Sequence, residues 1–133
     1  MINLSEKLGE MTFDGLITDI KPAPEVRGGV IRKLSAAATL KRGTILAKSS
    51  GTAGDGKLVI LGSTATTNET LTANCILAED VEVGTTADVT VLAYRTGHFA
   101  RNKLAVASGY TLKATDEEEL RKAGILLSDA VEY

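Results

Sequence analysis

The stretch Ala87-Asp88-Val89-Thr90-Val91-Leu92-Ala93-Tyr94 decides the class of this fold. Val89, Val91 and Ala93 alternate with Asp88, Thr90 and Leu92, a period of two that puts each set on its own face of a β-strand. Its β-branched residues suit a pleated, half-buried surface better than a helix. Shorter runs of the same kind flank it. Ile45-Leu46-Ala47 follows a turn at Lys41 to Gly43, Lys57 to Leu61 is a short apolar strand, and Asn74 to Ala78 is another. Ile125-Leu126-Leu127 reads as a last buried strand.

The connections between these runs are rich in turn residues. Ser49 to Gly56 contains three glycines, Gly62 through Asn68 is polar, and Glu79 to Val83 ends at Gly84. Alanine (17), threonine (16) and glycine (13) make up 46 of the 133 residues, a usage that suits short strands and tight turns better than a helical bundle. The expected fold is therefore mainly β with short helices (α+β).

Two short helices are expected. One lies around Asn102 to Ala107, with Leu104 and Ala107 inward and Gly109 ending the turn. The other begins at Thr115-Asp116-Glu117-Glu118, where Thr115 and Glu118 form a capping box, Glu117 pairs with Arg121, and Gly124 terminates the helix. So short a helix needs Leu120 docked on the body.

The leading residues differ from the rest. Phe13, Leu16, Ile17 and Ile20 follow a helical spacing interrupted by Gly15, and Pro22, Pro24 and Gly28-Gly29 follow. Such a segment buries little by itself, so residues 1–34 are expected to form a flexible arm ordered by a partner, and residues 35–133 a β-rich body.

Composition narrows the function. The length suits one domain that can bury about two-thirds of its surface, and the 44% apolar and 24% charged fractions are those of a globular protein. The longest uncharged run, between Lys57 and Glu69, has 11 residues, too few to cross a bilayer as a helix. Glu6, Glu10, Asp14, Asp19 and Glu25 in the first thirty residues argue against a secretory leader. A single cysteine, Cys75, precludes an internal disulfide and is expected in the core. A single histidine, His98, has no neighbour spaced as a nucleophile or orienting acid, so a surface or interface role is expected.

Glu79, Asp80, Glu82 and Asp88 read as a solvated face and not as a hard-metal site, because Asp80 and Glu82 alternate with Val81 and Val83. Ser49 to Gly56 lacks the phosphate-loop pattern. Charge is uneven along the chain. Six bases and no acid lie between Val26 and Gly54, and six acids against two bases lie from Ala114 onward, although the formal charge is only −2. Nucleic-acid binding is one reading of such a basic run, and complementary charge between subunits or with an acidic protein is another. The low aromatic content and negative net charge weigh against nucleic acid.

Four blocks carry a resemblance. Leu40-Lys41-Arg42-Gly43-Thr44-Ile45-Leu46-Ala47, Cys75-Ile76-Leu77-Ala78-Glu79-Asp80-Val81, Gly97-His98-Phe99 ahead of Leu104, and Leu120-Arg121-Lys122-Ala123-Gly124-Ile125 are similar, in order and spacing, to the bacteriophage head decoration proteins. The resemblance covers about residues 38–127. It implies a compact β-clip-like body that assembles as a homotrimer on the outside of the expanded head and stabilises it against the pressure of packaged DNA. It also implies a leading arm that orders on the shell by pairing with the major capsid protein, although this arm is long for the family.

On that resemblance Phe13, Leu16, Ile17 and Ile20 are candidate apolar anchors of the capsid-binding arm, and Val26, Val30 and Ile31 its pairing stretch. Arg32, Lys33, Lys41, Arg42 and His98 are candidate trimer or shell contacts. The expected partners are the major capsid protein and further copies of the chain, with no nucleic acid and no membrane. No cofactor, metal or catalytic residue is expected. The expected location is the outer surface of the virion, after synthesis in the host bacterial cytoplasm. The alternative is a small β-clip or antifreeze-like module whose Lys41-Arg42-Gly43 turn holds an anionic saccharide.

Overall fold

The computed structural model describes residues 16–19 and 23–129. From Val89 on, the alternating stretch lies in β8 (Val89–Ala100), the longest strand among the described residues, and the other elements are arranged around it. In chain order those are β1 (Ile17–Asp19), β2 (Glu25–Ile31), β3 (Ala38–Leu40), β4 (Ile45–Ser50), β5 (Leu58–Ile60), β6 (Thr70–Leu77) and β7 (Val81–Val83). After β8 come a 3-10 turn (Arg101–Lys103), helix α1 (Ala114–Ala123) and β9 (Ile125–Ser128).

β2 runs antiparallel to β8, from Glu25 opposite Thr96 to Ile31 opposite Val89. β5 joins β2 through Ile31 and Leu58, β4 lies between β5 and β6, and β6 returns to β8 at Ile76–Tyr94 and Leu77–Ala93. These five strands close into a small barrel-like body, mainly β with short helical elements, as composition and alternation indicate. β3 and β7 form a separate antiparallel pair.

β8 extends well past the expected stretch, where β1 and β9 pair with its far end. Ala93 and Tyr94 are both covered, so the two-residue alternation disappears while the strand continues through Gly97, His98 and Phe99. Tyr94 and Phe99 meet at a ring separation of 5.2 Å inside a core that also holds Ile31, Ile45, Leu46, Ile76, Leu77 and Ile125. Cys75 is fully buried there, and burial pushes its thiol up to about 11.

Several local expectations are corrected. Leu16 and Ile17, which fit a helical spacing, lie just ahead of and in strand β1. Ile17 pairs with Phe99, and the Ala100 amide donates to the Leu16 carbonyl at 2.7 Å. The far end of β8 has main-chain groups to satisfy, and a weak helical pattern does not outweigh them. The helix expected around Asn102 to Ala107 is a single 3-10 turn. Ala105 is instead held between Gly43 and Ile45, donating to the first at 3.1 Å and accepting from the second at 2.8 Å. Of the last strand only Ile125 is buried, and Leu126 is exposed.

Helix α1 docks through the fully buried Leu120 and ends at Gly124, whose φ of +110° is the left-handed conformation of a glycine terminator. Its amino-terminal cap differs from the expected one. Asp116, not Glu118, reaches back, accepting from the Lys113 amide at 3.0 Å and from the Tyr110 hydroxyl. That contact raises the Tyr110 hydroxyl to about 12. Arg121 pairs with Glu118 at 2.9 Å, while Glu117 reaches Arg101 at 2.8 Å.

Candidate partner-facing surface

Val26, Val30 and Ile31, the expected pairing stretch, lie in β2 and are already matched to Tyr94, Thr90 and Val89 of β8. Ile31 is fully buried in the core. Val26 and Val30 face outward, each 39% exposed. Between them Gly28 stands opposite Leu92, which is 46% exposed. Residues two apart on a strand share a face, so the three side chains form one apolar stripe on the outer face of β2 and β8. Leu16 is buried and Ile17 half-buried against β8, whereas Phe13 and Ile20 lie outside the described residues. The boundary expected near Leu34 falls after β2, within the barrel.

Of the candidate basic contacts, the two arginines are held by partners within the chain, and the two lysines are exposed. Arg32 bridges Asp55 at 2.9 Å and Glu69 at 2.6 Å. The Glu69 carboxylate is buried and also accepts from the Ser49 hydroxyl and, at 3.0 Å, from the Thr66 amide. These donors hold Glu69 down at about 2, with the Ser49 hydroxyl first, and Arg32 likewise holds Asp55 at about 2. The Lys33 amide donates to Asp88 at 2.9 Å, and Asp88 also pairs with Lys57.

At the Lys41-Arg42-Gly43 turn, Asp80 accepts from the Arg42 amide at 2.7 Å and lies 3.7 Å from the Lys41 ammonium. The Arg42 guanidinium donates to the Tyr94 hydroxyl at 3.0 Å and sits 5.6 Å over its ring. Gly43 closes the turn at φ +98°, where a Cβ would come within 2.9 Å of the Lys103 carbonyl oxygen. The Arg42 guanidinium is thus engaged within the chain, while the Lys41 ammonium stays largely exposed beside Asp80. His98 sits 2.9 Å from the Ser128 hydroxyl, joining β8 to β9. Of the acids of the expected solvated face, Glu79, Asp80 and Glu82 are exposed, whereas Asp88 is half-buried and paired with Lys57.

The sequence reading did not single out the free edge of β2. Away from β8, β2 is paired only through Ile31, so among the described residues no strand pairs with Glu25 to Val30 on that side. The edge opens onto a recess lined by Glu25, Arg27, Gly28, Lys48, Arg95 and Thr96. Glu25 pairs with Arg27. Arg95 donates to Asn74 and, at 3.5 Å, to the Gly28 carbonyl. Among the described residues no carboxylate pairs with Lys48 or Arg95, so the recess is cationic. The available signal was Gly28-Gly29: a Cβ on Gly29 would come within 2.8 Å of Leu58 and 3.3 Å of the Arg95 guanidinium.

Among the described residues no group of three or more His, Cys, Asp or Glu converges as a metal site, and no helix is long and apolar enough to cross a membrane. A family model described as bacteriophage lambda head decoration protein D matches residues 27–125, from within β2 to the first residue of β9. A search of curated proteins finds no match.

Proposed function

Because the chain belongs to the bacteriophage lambda head decoration protein family, a structural family of the phage capsid, we propose that it binds as a trimer to the outside of the expanded head and stabilises it against internal DNA pressure. The observation that carries this reading is the extent of the match, which runs from within β2 through the rest of the barrel and helix α1. The major capsid protein is the proposed partner, and the outer surface of the virion the proposed location.

The proposed arm is the segment ahead of β1, because Leu16 and Ile17 are docked on β8 and residues 25–31 belong to the barrel. Within that segment Phe13 is the proposed apolar anchor. Ordering each residue costs about 1–2 kcal/mol of backbone entropy, so one such segment binds weakly. Three on one trimer act at high effective concentration, and that avidity is worth about 10²–10⁴ over a single contact. Trimerisation and shell binding are thereby linked. Arg32 and Arg42 act first within the chain, and the cations left to an interface are Lys33 and Lys41, which are exposed.

Light scattering and co-sedimentation test the reading. A trimer that pellets with expanded but not with immature heads is expected. A monomer that ignores expanded heads overturns it.

A further inference from the structure

The cationic recess is built around Arg95. In the ladder between β2 and β8, Glu25 stands opposite Thr96 and Val26 opposite Tyr94, so Arg95 is the extra residue of a bulge. A bulge re-aims the side chain it carries. Arg95 is half-buried, and its guanidinium donates to the Asn74 side chain and, at 3.5 Å, to the Gly28 carbonyl. Gly29 leaves room for it, since a Cβ there would come within 3.3 Å of that guanidinium. Both acceptors are neutral, so the guanidinium is oriented while its charge stays unbalanced, and it keeps further N–H donors in hand.

Two more cations line the recess. Lys48 reaches it from β4, is exposed, and carries no carboxylate partner among the described residues. Arg27 is paired with Glu25, the one carboxylate of the lining. The remaining lining residues are uncharged, so three cations face one anion, an excess of two positive charges. Arg32, by contrast, already meets both Asp55 and Glu69.

We propose that this recess binds a dianionic phosphate group, free or as a terminal monoester, with Arg95 as the positioned donor and Lys48 as the second cation. A guanidinium presents paired N–H donors that match phosphate oxygens, and a lysine adds a compact point charge. A doubly negative group balances the excess. A carboxylate or a phosphodiester carries one charge and balances half of it. The inference goes beyond the decoration reading and does not rest on it.

The test uses the full chain with isotope-labelled amides at pH 8, where a phosphate monoester is doubly charged. The probes are inorganic phosphate, adenosine monophosphate and a DNA oligonucleotide without terminal phosphates, each compared with sodium chloride at equal ionic strength. Saturable shifts at Gly28, Lys48, Arg95 and Thr96 are expected with the two dianions, and weaker binding per phosphate with the oligonucleotide. Phosphate binding tighter than the monophosphate marks the free ion as the ligand, and the reverse order marks a monoester. Lys48→Gln should weaken the dianion by about fivefold, and Glu25→Gln, which removes the one acid, should tighten it. Both positions are exposed, so the rest of the amide spectrum should be kept. No saturation beyond the chloride control, shifts centred elsewhere, unchanged affinity in both variants, or equal binding per phosphate by the oligonucleotide overturns the proposal.

Discussion

Arg32 and Glu69, 37 positions apart, meet at 2.6 Å where the end of β2 passes the loop that leads into β6. The same guanidinium holds Asp55, so one arginine ties β2 to the glycine-rich loop and to the start of β6. Both carboxyls are held at about 2, below their ordinary values of 4.5 and 3.8. A carboxyl depressed by folding contributes stability that is fully present above its unfolded value and lost as pH falls through its folded value. Stability should therefore decline as pH falls from about 4.5 toward 2. Urea midpoints across this range should fall less steeply for Glu69→Gln than for the wild type, and parallel curves would contradict this account.

Truncation divides the leading residues. Removing residues 1–15 should leave a folded barrel with weakened shell binding. Removing residues 1–34 also takes away β2, and with it the partner of β8 from Val89 to Thr96 and the buried Ile31. The longer deletion should therefore not fold, although residues 35–133 read as the body in the sequence. Circular dichroism melting curves distinguish the two, and a cooperative transition in the longer deletion would contradict the role given to β2.

Gly43 should resist substitution. At φ +98°, with the Lys103 carbonyl oxygen 2.9 Å from where a Cβ would stand, Gly43→Ala adds backbone strain and a close contact. A loss of about 1–3 kcal/mol is expected in chemical denaturation. No loss would mean that the turn relaxes freely.

Leu120 anchors helix α1 in the core. Leu120→Ala leaves a cavity where a fully buried side chain stood, and should cost about 2–5 kcal/mol. The same variant should lower helical signal, since a helix of this length depends on its docking.

Cys75 should be inert in the native protein. Its thiol is fully buried and pushed up to about 11, so a thiol reagent at neutral pH should label it only at the rate of unfolding. Fast labelling without denaturant would show that the core opens locally at β6.

The class of the fold is legible in particular residues. Val89, Val91 and Ala93 mark β8, Gly124 marks the end of helix α1, and the four spaced blocks mark the family. All of these are short-range signals, set by side-chain period, by a glycine conformation or by local order along the chain. The candidate site was less legible. Val26, Val30 and Arg32 are plain in the sequence, but whether they lie free or paired depends on β8 and on Asp55 and Glu69, all distant along the chain.

The chain's own letters determined that it would be a β-rich globule of a decoration family, because alternation, turn glycines and family blocks are written locally. The tertiary structure alone decided that β2 belongs to the barrel and that one edge of β2 is left without a strand among the described residues. Those outcomes depend on which distant main-chain groups pair, and hydrogen bonding between strands leaves no mark at a single position in the sequence.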